Sequence, residues 1–523
     1  MSVASWTDQQ SAPDEVQWDV IIVGSGVGGA TVGRSLALEG LSVLFVEKGG
    51  AIAVSDGPPD TSSPSDRIAQ GWWPHPVSRK MPDGSYQRFF AAVGCAIGGS
   101  SVHYAAALER MDPGDFEVVK TLAGTTTKWP ISYEDFTPCY QAAETLYGID
   151  STSVDAAMQR MSDWDRALMD QMSQNGLHPE PLRVAMRYDA QCTECIGKVC
   201  PRGCKRDARV ACLEEALRQP HCRILDRCDV ETLVADRTRV FAVRARRDEH
   251  KLTLRGRVII LAAGAFHSPQ ILLRSLSDQW PNGLANRSDQ VGRNLMFHTC
   301  DVLALWAPRR LSRSARQRKS ISVRDFYNRG GDRLGYVQSM GLDGGRGEIA
   351  AYLKEELRRR GITNELLLSL LVKVPSQVAA WLFGGAGIFA AMSEDYPNPE
   401  NRITLDANEP DGASFTYTIA DDLRHRANRL YDEFSRHVRP WRVRRVSREL
   451  AMNYGHPCGT CRFGDDPSLS VLDRDCRAHD LENLYIVDAS FMPRSGAVNP
   501  SLTIAANALR VAPRIAERVS ALA

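Results

Sequence analysis

The sequence predicts an α/β fold built on a parallel, helix-flanked sheet. Three observations carry that reading. A strand, glycine turn, helix and second strand follow one another from Trp18 to Gly50; a later apolar strand ends in small residues within Arg257–Ser275; and NLYIVDAS, from Asn483, forms a third apolar strand ending in an acid. Apolar strands joined through amphipathic helices pack as β-α-β units.

The first unit reads WDVIIVGSGVGGATVGRSLALEGLSVLFVEKGG, with Gly24, Gly26 and Gly29 at GxGxxG spacing. The first glycine permits a tight turn, the second a close approach of backbone to a pyrophosphate, and the third close packing of helix on strand. The helix then points its positive dipole end at the phosphates. Glu47 closes the second strand, where a carboxylate accepts hydrogen bonds from a ribose and disfavours a 2′-phosphate. A dinucleotide site follows, and FAD and NAD are both compatible with this unit. CDVETLVAD, Cys228 to Asp236, reads as a further strand.

A chain of 523 residues has room for several domains or for two interleaved ones, and for a large buried ligand. Lys+Arg 64 against Asp+Glu 63 leaves no global field, which argues against a nucleic-acid partner. The first residues, MSVASWTDQQ, lack the basic start and apolar run of a secretory signal, so the expected location is cytoplasmic. Thirteen cysteines, an odd number scattered along the chain, suit reduced thiols better than a disulfide scaffold. Only Glu365–Met392 approaches membrane length. Lys373, Pro375 and Gln377 at its centre, with glycines after them, point to a buried helix and strand instead of a span. Pro308–Ser320 carries six positive charges and reads as a solvated loop.

The last seventy residues hold the chemistry. In NYGHPCGTCRFG, His456 sits in a Gly/Pro/Cys loop and is expected to be presented to a cavity. Asn499 and Thr503 stand near the start of a helix, where backbone N–H groups are free for an anionic ligand. In GGSSVHYAA, His103 lies among residues so small that the backbone must pass close to something large; a satisfied core histidine is the bland alternative.

These motifs together resemble the glucose-methanol-choline (GMC) family of FAD-dependent alcohol oxidoreductases. The likeness is carried by GSGVGG, GCAIGGSSVHYAAALER, WPISYEDFTPCYQAAETLYGI, GAFHSPQILLRS, VGRNLMFH, EDYPNPENRITLD, HPCGTCRFG and the AVNP loop. It departs at Leu276, where the family pattern has glycine after serine. The resemblance implies a discontinuous Rossmann-like FAD-binding domain (15–110, 205–300 and 450–523). Interleaved with it is a mixed α+β substrate-binding domain built on an antiparallel sheet (111–204 and 301–449).

By the same resemblance His456 is the active-site histidine, expected to act as the base, and Asn499 is its partner, which orients the substrate oxygen or binds the flavin edge and cannot itself take the proton. An alcohol carbon gives hydride to flavin N5 only if its hydroxyl proton leaves, and a neutral imidazole is a suitable acceptor. Gly24, Gly26, Gly29, Glu47 and Val230 correspond to the ADP half of the FAD site, and Gly98, Gly99 and Ser100 to its flavin side. Asp488, Ala489, Asn499 and Ser501 match positions lining the pyrophosphate, ribityl chain and ring. His103 matches a position that in some members bonds covalently to the flavin and in others only touches it; the residues leave both open.

The implied partners are a small-molecule alcohol and O2 or another electron acceptor, with sugar-like or natural-product alcohols preferred and sterol, terpenoid and aryl alcohols open. A non-redox FAD-containing lyase and a cluster-bearing electron-transfer subunit are the other classes, and the oligomeric state is open. Cys192, Cys195, Cys200 and Cys204 form a C-x2-C-x4-C-x3-C array. A packed loop of free thiols or a local disulfide is preferred there, with zinc and an iron–sulfur cluster as the alternatives and no metal ligand assigned.

Overall fold

The structure is a computed structural model. It describes residues 13–522 apart from 53–63, 121–125, 150, 193, 309–318, 329–331, 344–349, 351–352, 355–356, 358–361, 363, 384, 407–412 and 448–449.

Strand β1 (Gln17–Val23), helix α1 (Val27–Leu38) and strand β2 (Val43–Val46) form the predicted first unit. β1 lies between β2 and the strand His250–Leu261, parallel to both, with Ile21 opposite Leu44 and Ile259. Cys222–Leu225 extends the sheet beyond β2, and Leu484–Ile486 joins the other side of His250–Leu261, again in parallel. The first half of His250–Leu261 turns back on Val240–Arg247 and Cys228–Ala235 in an antiparallel meander. Val20, Ile21 and Ile22 are wholly buried, as strands covered on both faces require. Helix Ser501–Ala521 packs on α1 and on helix Tyr133–Tyr147.

A second sheet of six strands is antiparallel throughout. Its order is Arg442–Arg445, Asp301–Trp306, Gly387–Met392, Tyr336–Asp343, Ile321–Val323 and Glu180–Pro181. A third sheet joins Val77–Lys80 and Tyr86–Phe89 to Arg402–Leu405 and Ala413–Thr416. Between these layers a short antiparallel pair, Met296–Thr299 with Met452–Cys458, carries two histidines to the centre of the molecule.

Three expectations change. Strand Gly387–Met392 is buried, but helix Glu365–Phe383 is not: Leu368, Val372 and Ser376 are buried, while Leu366 is 79% and Leu370 70% exposed. Residues four apart share one face of a helix, so a helix seated at the margin buries one stripe whatever the rest of it contains. Among the described residues no helix is long and apolar enough to cross a membrane. His456 stands on a strand instead of in a loop, because Met452–Cys458 pairs with Met296–Thr299 across a register shift between Met296 and His298. Within the basic run only Pro308, Lys319 and Ser320 are described, and Lys319 and Ser320 are buried; 309–318 lie outside the described residues.

Candidate active site

The nucleotide end is shaped by backbone. Gly24 turns at φ +100°, and a Cβ there would stand 2.5 Å from the Ala262 carbonyl oxygen, so only glycine fits. Gly99, at φ +58°, rests on the Cα of Gly26, where a Cβ would come within 2.8 Å. Gly29 packs on the Gly24 carbonyl and Gly98 on Val102, so neither needs to face a ligand. These two loops open a cavity of about 350 Å³. Gly24, Gly26 and Glu47 line it from the first unit, and Gly99, Ser100 and His103 from the small-residue loop. Val230 reaches it from the meander, and His456, Asp488, Ala489 and Ser501 from the C-terminal quarter.

Both predicted carboxylates are buried and paired. Glu47 Oε2 accepts from Ser25 N (2.9 Å) and Ser25 Oγ (2.7 Å), and Oε1 from Gly49 N (2.9 Å). Ser25 Oγ also accepts from Gly98 N at 3.0 Å, tying the two glycine loops together. Asp488 accepts from Gly264 N, Ser268 Oγ, Ser490 N and Ser490 Oγ. Burial pushes both carboxyls above their ordinary range, and these hydrogen bonds oppose the shift.

His103 stacks on Trp72, with ring centroids 3.8 Å apart and planes at 12°. Its Nε2 lies 3.3 Å from the Gly71 carbonyl, which only accepts, so Nε2 carries the hydrogen. Nδ1 is buried with no hydrogen-bond partner among the described residues. Burial, with the nearby Lys205 charge, lowers the ring to about 4, so it is neutral at neutral pH. Lys205 Nζ lies 2.6–3.0 Å from the carbonyls of Val102, Tyr104, Cys195 and Lys198, pinning the cysteine loop to the His103 loop.

In that loop Cys192, Cys200 and Cys204 are buried and packed with Cys195 and Tyr188, and none of the four forms a disulfide among the described residues. Among the described residues no group of three or more metal-ligating side chains is arranged to hold an ion. Trp72, Trp73, Lys48 and His267 also line the cavity, with the Lys48 ammonium 4.3 Å from the Trp73 ring centroid. Sequence reasoning assigned none of these four a role; the tandem tryptophans after Gly71 were the available signal.

The chemical end is built from side chains. His456 Nδ1 lies 3.1 Å from Asn453 Nδ2, and Asn453 Oδ1 accepts from Gly455 N at 3.0 Å. Burial, then the charges of His298 and Lys319, lower His456 to about 3. His298, wholly buried, meets the His456 ring edge-on with centroids 5.3 Å apart. Asn499 does not line the cavity; its Oδ1 accepts from Gln338 Nε2 at 3.2 Å, and Gln338 Oε1 is unpartnered among the described residues. The loop carrying Ser495 and Asn499 is anchored by Arg494, wholly buried and forked onto Glu394 at 2.8 and 2.9 Å. Asn453, His298 and Gln338 were missed as site residues because each reaches the site from a strand whose pairing the sequence does not announce.

A dinucleotide cradle of glycine loops, opening beside a histidine held between two sheets, defines a two-domain flavoprotein oxidoreductase. Family models described as GMC oxidoreductase match residues 18–300 and 397–508, and the chain belongs to that family. It is therefore an FAD-dependent oxidoreductase acting on alcohols. It is 28% identical to 6'''-hydroxyparomomycin C oxidase of Streptomyces lividus, over 96% of this chain and 92% of that one. It is 25% identical to the fructose dehydrogenase large subunit of Gluconobacter japonicus, over 95% and 97%. Among solved structures, pyridoxine 4-oxidase from Mesorbium loti superposes with a TM-score of 0.64 at 20% identity, covering 95% of this chain and 99% of that one.

Proposed function

We propose that the protein oxidises a CH–OH group of a sugar-like or natural-product alcohol to a carbonyl, with His456 and Asn499 at the reacting oxygen. His456 lining the cavity, with Asn453 at its Nδ1 and the buried His298 ring against it, carries the reading, because polar groups at the cavity suit a hydroxyl-rich molecule better than a sterol or aryl alcohol. Residues 15–110, 205–300 and 450–523 hold FAD, and 111–204 with 301–449 hold the alcohol. Gly24, Gly26 and Ser501 face the pyrophosphate, Glu47 and Val230 the adenosine half, and Gly99, Ser100, Asp488 and Ala489 the rest of the cofactor. When bound, FAD supplies the hydride acceptor.

His456 is read as the base for the alcohol's proton, and Asn499, fixed by Gln338, presents its amide N–H to the same oxygen. His456 takes the proton itself only in the tautomer with hydrogen on Nδ1, for which the Asn453 amide would have to turn and release Gly455 N. A neutral His103 whose Nδ1 has no hydrogen-bond partner among the described residues supports a covalent link to the flavin through that atom. After acid precipitation the yellow colour is expected in the pellet; colour wholly in the supernatant rules the link out.

Anaerobic mixing with fructose, pyridoxine, 6'''-hydroxyparomomycin C, cholesterol and benzyl alcohol tests the function. Bleaching by one of the hydroxyl-rich compounds supports it, and bleaching by cholesterol or benzyl alcohol alone overturns the substrate class. Cleavage of a cyanohydrin with the flavin still yellow would mark a lyase. Reoxidation with O2 and with a quinone in parallel identifies the acceptor. His456→Ala is expected to slow flavin reduction by about 10²–10⁴ with FAD retained.

A further inference from the structure

Residues four apart share one face of a helix, so Glu365–Phe383 divides into rows. One row, Leu368, Val372 and Ser376, is buried against the protein. The row beside it, Leu367, Leu371 and Pro375, is exposed, and so is the next, Leu366, Leu370, Val374 and Val378. The remaining row, Ser369, Lys373 and Gln377, is polar and exposed. About half the circumference of the helix is therefore aliphatic and open to solvent, with Leu366 at 79%, Leu370 at 70% and Val374 at 68% exposure. A contiguous apolar surface of this kind marks a binding face.

The chemistry around that face says what covers it. From Leu366 to Val378 its side chains are leucine, valine and proline, with no aromatic or charged group among them. Protein–protein interfaces concentrate their energy in Trp, Tyr and Arg, and Leu and Val are under-represented there. A helix lying in a bilayer surface has an aliphatic face and a polar, basic one. Four residues beyond the helix, Gly387 pairs with Leu305, and Leu305 pairs with Val443. The helix therefore ends within about 15 Å of this end of the second sheet. On the edge strand there, Arg445 pairs with Asp301 at 3.2 Å, while Arg442 and Arg444 are exposed and have no carboxylate partner among the described residues. The Arg442 guanidinium lies 5.9 Å from the ring centroid of the half-buried Trp306. Tryptophan and arginine at the border of an apolar face suit the level of lipid headgroups.

We propose that this helix and the neighbouring sheet edge dock the enzyme on the surface of an anionic phospholipid bilayer. The row from Leu366 to Val378 enters the boundary between headgroups and acyl chains, and Arg442 and Arg444 meet the headgroup phosphates. The helix lies along the surface: Ser369, Lys373 and Gln377 stay on the wet side, and no described helix is long and apolar enough to cross. The docking is independent of which alcohol the enzyme oxidises.

Sedimentation of the FAD-loaded enzyme with vesicles tests this. Wild type is expected to pellet with vesicles of phosphatidylglycerol and phosphatidylcholine in equal parts, and to bind about tenfold more weakly to phosphatidylcholine alone or in high salt. Leu366→Gln, Leu370→Gln and Val374→Gln combined should weaken binding to the mixed vesicles by at least about 30-fold. Arg442→Gln with Arg444→Gln should weaken it by about tenfold and flatten the salt dependence. Both variants should keep the flavin absorbance spectrum of wild type. Wild type that stays in the supernatant with mixed vesicles, or a triple variant that binds them as well as wild type, overturns the proposal. A wild-type dimer that the triple variant splits, without vesicle binding, would assign the face to a second copy of the chain and also overturn it. Should the triple variant fail to fold, hydrogen exchange of the wild-type holoenzyme decides. Protection of residues 365–378 on addition of mixed vesicles is expected, and unchanged exchange there overturns the docking.

Discussion

The two ends of the site solve opposite problems. At the nucleotide end the buried carboxylates Glu47 and Asp488 are surrounded by donors, and glycine backbone shapes much of the ligand surface. At the chemical end His298 Nδ1 and Gln338 Oε1 are buried and without a hydrogen-bond partner among the described residues, each at a cost of roughly 1–3 kcal/mol. One end is shaped largely by backbone, although His103 Nδ1 there also has no hydrogen-bond partner among the described residues. The other is built from side chains, on a loop that Arg494 anchors to Glu394.

The largest expected effect tests that anchor. Arg494 is forked onto Glu394 and donates to the carbonyls of Gly114, Asp115 and Glu117, with no exposure to solvent. Arg494→Met leaves the carboxylates of Glu394 and Asp115 short of a buried cation, a change that costs about 3–5 kcal/mol. Denaturant unfolding should show that loss, and a change below about 1 kcal/mol would mean the chemical end stands without the anchor. Next comes Gly24→Ala, which drives a Cβ into the Ala262 carbonyl at a positive φ. FAD affinity is expected to fall by about 100-fold, or about 2.7 kcal/mol, by titration of the apoprotein.

The same contrast explains what the sequence revealed. The glycine turn, Glu47 and the strand ending at Leu261 were legible because a backbone-built site needs glycines at fixed spacing, and spacing is visible in one dimension. His456 was legible from its loop-like neighbours, although it stands on a strand. His298 and Gln338 were not: each meets its partner across more than 150 residues, and nothing near either marks which face it presents. The run from Glu365 was misread for a related reason. Its apolar residues run round most of the helix, so no single periodic stripe says which of them the core takes.

A third prediction uses pH to count the neutral histidines of the chemical end. His298 is lowered to about 4 by burial, below its ordinary value of 6.5. The unfolded chain therefore binds more protons between those values, so the contribution to stability is complete above about pH 6.5 and is lost as pH falls toward 4. For one wholly buried histidine the loss is about 1.4 kcal/mol per pH unit, or about 2 kcal/mol between roughly pH 6.5 and 5. His298→Gln should be less acid-sensitive than wild type by that amount in parallel urea titrations. An identical slope would mean that His298 is already charged in the folded protein.

The smallest expected effect concerns Gln338, which joins the second sheet to the chemistry. Its backbone is paired on both sides, to Ser322 and to Ala390, so the side chain is held in place by the sheet. Nε2 fixes the oxygen of Asn499 at 3.2 Å and thereby aims the Asn499 NH2 elsewhere, while Oε1 is left unpaired. Gln338→Met removes both atoms at nearly constant volume. Because the unpaired oxygen disappears with the amide, thermal stability should hold or rise slightly. With Asn499 in the proposed orienting role, flavin reduction should slow by only about tenfold, about 1.4 kcal/mol. If Gln338→Met instead costs stability and leaves the rate alone, Oε1 is satisfied in the folded protein, and the contrast between the two ends rests on His298 alone.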